Sequence, residues 1–136
     1  MKEKVLVIGS NSFSGAHFVN ECMINGHRTW GISRSQQPNA IFLPHKWGKE
    51  KFTIGQENVS NFIFERMNIN DETNRIIEFI ESIRPEIIVN FSAQGMVAES
   101  WNRPNDWYTT NLMAQVELTT KLINKSYLKK YVQIST

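Results

Sequence analysis

Two glycines six positions apart, Gly9 and Gly15, follow directly on the apolar run Val5–Ile8 in the stretch VLVIGSNSFSGAHF. Glycines spaced in this way after a buried strand can hold a phosphate. One makes the tight turn, one lets backbone approach a pyrophosphate and one lets helix pack on strand, while the phosphate rests on the helix N-terminus. Gly9 and Gly15 take the outer two positions, and Ser12 takes the middle one. A serine there requires a negative φ, and its hydroxyl could then donate to a phosphate oxygen. A plain strand-to-helix turn with capping Ser and Asn would carry the same residues, so the loop needs support from elsewhere. No Gly-Lys-Ser/Thr follows, which excludes a P-loop.

The next informative position lies past a second apolar run, RTWGIS. An acid about 20 residues beyond the glycine loop would bind a ribose diol. Here the chain reads Ser33-Arg34-Ser35 with no acid. The planar, always charged fork of Arg34 suits a 2′-phosphate and leaves a bare diol unmatched. The expectation is NADP, with NAD possible. A third candidate is NFSAQGMV, where Ser92, Ala93 and Gly95 are small enough for backbone to approach a ligand outside the strands' carboxyl ends. His17, His27 and His45 lack metal-ligand spacing with one another or with Cys22, so no metal is assigned.

These positions need a scaffold, and the periodicity supplies one. Val5–Ile8 is a short continuous apolar run, as in a strand buried on both faces. Ala16, Val19, Cys22 and Met23 recur at helical spacing, and Asn25–Gly26 gives a stop. Strand, glycine loop, helix and strand fit within roughly 30 residues, the size of a βαβ unit. Residues 34–60 are the least periodic part; their basic 45–51 segment reads as a solvated loop. FIFERM at 62–67 alternates as a strand. A helix follows, capped by Asn70 or Asp71, with Ile76, Ile77, Ile80 and Ile83 on one face and its end before Pro85. EIIVNF is another buried strand. Pro104 opens a long helix with Tyr108, Leu112, Val116, Leu122 and Ile123 predicted to face inward, and YVQIST is a fifth strand. The order predicts an α/β fold, a Rossmann-type doubly wound parallel sheet truncated after the fifth strand, in one domain over 1–136.

Composition narrows the function classes. The chain of 136 residues is 40% hydrophobic and 21% charged, an ordinary globular balance. A formal net charge of +2 gives no case for nucleic acid or a membrane surface. No apolar run approaches the ~18 residues of a membrane span. MKEKVLVIG lacks a signal-peptide cleavage site, so a cytoplasmic location is expected. The single Cys22 fits a reducing compartment and reads as a small buried hydrophobe.

Four stretches together resemble one family. In order, they are IGSNSFSGAHFV, MNIND, NFSAQGMVAESW with its following proline, and YVQIST. They resemble the G-x-x-G-x-x-G, D-[IL]-x-D, N-L-A-A-[EQ]-S-x-V-x-x-S-x-x-x-P and pre-S-[ST]-x-x-V-Y-G segments of the extended short-chain dehydrogenases/reductases, the nucleotide-sugar epimerase and dehydratase group. Ser12 departs at the middle glycine and Asn68 at the first aspartate. WGISRS, TNLMAQVELTTKL and Gln94 look most like the GDP-mannose 4,6-dehydratases, which use NADP. The resemblance implies that Gly9, Ser12, Phe13 and Gly15 serve the pyrophosphate and that Arg34 and Ser35 serve the ribose phosphate. Asn68 and Ile69 would then serve the adenine. Phe91, Ser92, Ala93 and Gln94 would line the nicotinamide-ribose side with Thr110 nearby, and Ser100 would be structural. An amide at 68 weakens the adenine contact but keeps hydrogen-bonding capacity.

The same resemblance implies hydride transfer between the sugar C4 and nicotinamide, with a tyrosine base, a lysine four residues on, and a Ser/Thr at the reacting oxygen. Thr136 falls on that Ser/Thr, as the catalytic candidate. No Tyr-x-x-x-Lys pair is present: Tyr108 is followed four on by Leu112 and Tyr127 by Tyr131. The expectation is therefore the cofactor half of a nucleotide-sugar dehydratase or epimerase, inactive alone and homo-oligomeric in its full form. A stand-alone NADP-binding or regulatory module and a doubly wound domain for another ligand remain open beside it.

Overall fold

The computed structural model describes residues 2–47 and 62–135. Thr136 and the part of the 34–60 loop from 48 onward lie outside the described residues. Five parallel strands form one sheet: β1 (Lys4–Ile8), β2 (Arg28–Ser33), β3 (Phe62–Arg66), β4 (Ile87–Asn90) and β5 (Lys130–Gln133). Their order across it is β3-β2-β1-β4-β5, with β1 at the centre. This is the expected Rossmann-type doubly wound sheet, with helices on both faces.

The pleat of β1 explains the two layers. Val5 and Val7 point to the face covered by α1 (Phe13–Ile24), where they meet Val19, Cys22 and Met23. Leu6 and Ile8 point the other way. They join Trp30, Ile32 and Ile88 beneath Ile76 and Ile80 of α2 (Thr73–Ile83) and Ala114, Leu118 and Leu122 of α5 (Ala114–Leu122). Every residue of Val5–Ile8 is thereby buried, which is why the run is continuously apolar. Cys22 is buried as expected, and burial first, then Glu21, pushes its thiol up to about 12, leaving it inert.

Two local expectations change. The N-cap of α2 is Glu72, with no side-chain cap bond, and not Asn70 or Asp71. Asn70 is drawn away, because its Nδ2 donates to Thr110 Oγ1 at 3.0 Å. Glu72 instead closes the turn backwards, its carboxylate accepting from the Asn68 N–H at 2.8 Å. That bond, followed by the one from Arg75, holds the Glu72 carboxyl below its usual range.

The helix opening at Pro104 is broken into α4 (Pro104–Tyr108), a π-turn (Thr109–Met113) and α5, preceded by the short α3 (Val97–Ser100). Leu122 faces inward as predicted. Tyr108, Leu112, Val116 and Ile123 do not; Leu112 and Val116 are 52% and 53% exposed. The inward stripe is Thr110, Ala114, Leu118 and Leu122, offset by two residues from the predicted one, or about 200° around a helix. Close approach to the sheet selects small and polar residues at its start, so the greasier stripe is the outer one. No helix among the described residues is long and apolar enough to cross a membrane.

Candidate functional site

The site is built where four strands end. Gly9 leaves β1 with φ 80°, a left-handed conformation that favours glycine. A Cβ there would also lie 2.9 Å from the Ser92 N and 3.0 Å from the Phe91 carbonyl carbon, so the turn packs directly on backbone beyond β4. A Cβ on Gly15 would drive into the Gly9 carbonyl oxygen and come 2.8 Å from Ser12 Oγ. Both glycines are therefore required by contact.

Ser12 has φ −68° and ψ 160°, the negative φ expected of it. Its hydroxyl is spoken for: Oγ donates to the Gly9 carbonyl at 2.8 Å and accepts from the Gly15 N–H at 3.0 Å. This is an N-cap, and the expectation that the hydroxyl would donate to a phosphate is corrected. The groups left for an anion are the backbone N–H of Phe13 and Ser14, which have no partner among the described residues.

Asn11, not singled out in the sequence, fastens this loop to the end of β2. Its N–H donates to Ser33 Oγ, and its Nδ2 to the carbonyls of Ser35 and Gln36, each at 3.0 Å. Arg34 thereby stands beside the glycine turn, exposed and without an ion-pair partner among the described residues. At the end of β3, Asn68 Oδ1 accepts from the Asn70 N–H at 3.0 Å, which leaves Nδ2 without a partner among the described residues. Ile69 is buried beside it.

Beyond β4 lies a polar network. Asn90 is fully buried, its Oδ1 accepting from the Ser92 N–H at 2.8 Å and from the Ser92 hydroxyl. Asn90 Nδ2 donates to Gln115 Oε1 at 2.7 Å and to Tyr131 Oη at 2.9 Å. Gln115 Nε2 donates to the carbonyls of Ser92 and Thr110, both at 3.1 Å. Burial raises the Tyr131 phenol above its ordinary value, with the Asn90 bond working against that. Asn111 clamps the next residue at two points, accepting from the Gln94 N–H at 2.8 Å and donating to its carbonyl at 3.1 Å. Gly95, by contrast, faces open space and no contact demands a glycine there.

One cleft of about 280 Å³ gathers most of the predicted residues. Gly9, Ser12, Arg34, Ser35, Asn68, Ile69, Phe91, Ser92, Ala93, Gln94 and Thr110 all line it. Phe13 and Gly15 do not: Phe13 is exposed on the first turn of α1 against His17, and Gly15 is buried beneath Ser12. Thr136 lies outside the described residues. Asn11 and Asn70 also line the cleft, each with a buried Oδ1 lacking a hydrogen-bond partner among the described residues. The sequence offered Asn70 only as a helix cap and gave Asn11 no site role, because a lone asparagine carries no spacing signal. Gln115 was hidden for a similar reason, inside a stretch read for its apolar period and its family resemblance but for no single polar residue.

The comparisons fit this geometry. The sequence profile of the NAD dependent epimerase/dehydratase family matches residues 5–136. Protein CapI of Staphylococcus aureus is 25% identical over 114 residues, covering 81% of this chain and 31% of that protein. A UDP-glucose 4-epimerase of Thermotoga maritima, solved with UDP-glucose, is 26% identical with a TM-score of 0.73, over 98% of this chain and 38% of that one. A UDP-glucose-4-epimerase of Stenotrophomonas maltophila, solved with NAD and formylated UDP-arabinopyranose, shares the fold at 19% identity and a TM-score of 0.78, over 98% and 37%. This chain thus spans about a third of the length of these relatives. With the parallel sheet, the glycine turn and the profile in agreement, the chain belongs to the NAD-dependent epimerase/dehydratase family.

Proposed function

We propose that this chain is the NAD(P)-binding part of a nucleotide-sugar 4,6-dehydratase or epimerase that works by hydride transfer at the sugar C4. The observation that carries the reading is the cleft itself, which brings the ends of β1, β2, β3 and β4 to one place where ligands of open α/β sheets bind. The residues fit a dinucleotide on three counts. Gly9 leaves no room for a side chain, and among the described residues the first turn of α1 offers N–H groups without partners and Arg34 has no ion pair.

In this reading Phe13 and Ser14 take the pyrophosphate on their N–H groups, and Ser12 and Gly15 shape that turn. Arg34 with Ser35 takes the adenosine ribose phosphate. Asn68 and Ile69 take the adenine, and Phe91–Gln94 with Thr110 take the nicotinamide-ribose end. When bound, the nicotinamide supplies the hydride acceptor. Thr136 is assigned to the reacting sugar oxygen, and a nucleotide sugar is the substrate of the full-length enzyme, in a homo-oligomer. Several solved neighbours contain NAD, which is why NAD stands beside NADP as the cofactor.

The test is titration of the chain with NADPH and NADH, followed by fluorescence. Tight binding of NADPH over NADH is expected, and Arg34→Asp should weaken NADPH about tenfold or more while sparing NADH. Failure of both cofactors to bind removes the reading, and a wild-type preference for NADH removes the role of Arg34. Without Tyr-x-x-x-Lys, the chain alone should show no turnover of nucleotide sugars.

A further inference from the structure

The Gln115 side chain is a buried amide on the inward side of α5, and nothing in the chemistry above uses it. A primary amide taken out of water is tolerated only when its hydrogen bonds are made. Here they are made in one direction, fixed from both ends. The Ser92 N–H can only donate, so the oxygen of Asn90 must face it and the Asn90 nitrogen must face Gln115. The carbonyls of Ser92 and Thr110 can only accept, so the Gln115 nitrogen must face them. The Ser92 hydroxyl points its proton back at Asn90, and Tyr131 passes its own to Gln133 Oε1 at 3.2 Å. Neither the Asn90 nor the Gln115 amide can flip without breaking at least two of these bonds.

We propose that Gln115 is a positioning residue that sets where the turn Phe91–Gln94 stands in the cleft and ties it, through Asn90 and Tyr131, to the end of β5. The proposal rests on reading that turn as the nicotinamide-ribose end. The opposite end of the cleft has contacts of its own, Asn11 on the carbonyls of Ser35 and Gln36 and Glu72 on the Asn68 N–H, and meets the Gln115 network only where Asn70 reaches Thr110. Loss of Gln115 should therefore move one end of the cleft and leave the other in place. A merely structural glutamine would loosen both.

The experiment compares ligands that share the adenosine diphosphate but differ in the nicotinamide riboside. Wild type, Gln115→Leu and Tyr131→Phe are titrated with ADP and with NADPH and NADH, and their melting is followed by circular dichroism. Gln115→Leu removes the side-chain bonds to Asn90, Ser92 and Thr110 and should weaken the dinucleotide about tenfold, with ADP within twofold. Tyr131→Phe keeps the ring and removes the acceptor of Asn90 Nδ2 together with the exposed bond to Gln133, so a smaller loss of the same selectivity is expected, about threefold. If Gln115→Leu does not fold, Tyr131→Phe carries the test. ADP and dinucleotide weakened alike, or neither weakened, overturns the role of Gln115 while the cofactor reading stands. Wild type that binds none of the ligands overturns the cofactor reading, and this inference with it.

Discussion

At Ser12 the hydroxyl closes its own turn, and this explains how a loop lacking the middle glycine keeps its shape. The side chain replaces closer backbone approach with a cap between the Gly9 carbonyl and the Gly15 N–H. Ser12→Gly should then cost only a few tenths of a kcal/mol, since glycine is itself a tolerated N-cap. Gly15→Ala should cost more than about 2 kcal/mol, because the new Cβ meets backbone that cannot move without shifting β1. Urea unfolding of the two variants separates these outcomes. The negative φ at Ser12 was legible from the residue type alone, whereas the direction of the hydroxyl was not, because it depends on where the Gly9 carbonyl comes to rest. Asn11 and Gln115 were illegible for a related reason: their value lies in partners 24 and 23 positions away.

Among the elements, α5 is where apolar periodicity misled. Its outer stripe is greasier than its inner one, and the sheet chose the stripe with Ala114 because bulk there would hold the helix off the Asn90–Gln115 network. Leu118, fully buried, should cost about 2–5 kcal/mol when cut to alanine. Leu112→Glu on the outer stripe should change stability by no more than about 0.5 kcal/mol. Equal losses at the two positions would mean that the outer stripe is also packed. By contrast α1 and α2 were legible, since Val19 and Cys22 or Ile76 and Ile80 stand on a single apolar face opposed by a polar one. The strands were legible, β1, β2 and β4 as buried runs with few polar interruptions and β3 by its alternation.

For the molecule as a whole, His45 is one source of acid sensitivity. The sequence placed it in a solvated segment, but it is buried, 4.7 Å from the Phe62 ring, and its nitrogens lack hydrogen-bond partners among the described residues. Burial first, and then Lys46, pull its pKa down from 6.5 to about 4, with the Ala16 backbone pulling the other way. The unfolded chain then binds the proton more readily than the folded one, so stability falls as pH drops from about 6.5 to about 4. The full loss would be about 3 kcal/mol. His45→Phe should flatten that limb, as read by thermal melts across the window; an unchanged slope would place the acid loss elsewhere.

The central place of β1 has a consequence during synthesis. Its inner face, Leu6 and Ile8 with Trp30 and Ile32, is covered by Ile76 and Ile80, yet 44 positions separate residue 32 from residue 76. At translation rates of about 5–20 residues per second, that face waits roughly 2–9 s for its cover. Over that interval the nascent chain carries a bare aromatic and aliphatic sheet surface, the kind of surface a ribosome-associated chaperone engages.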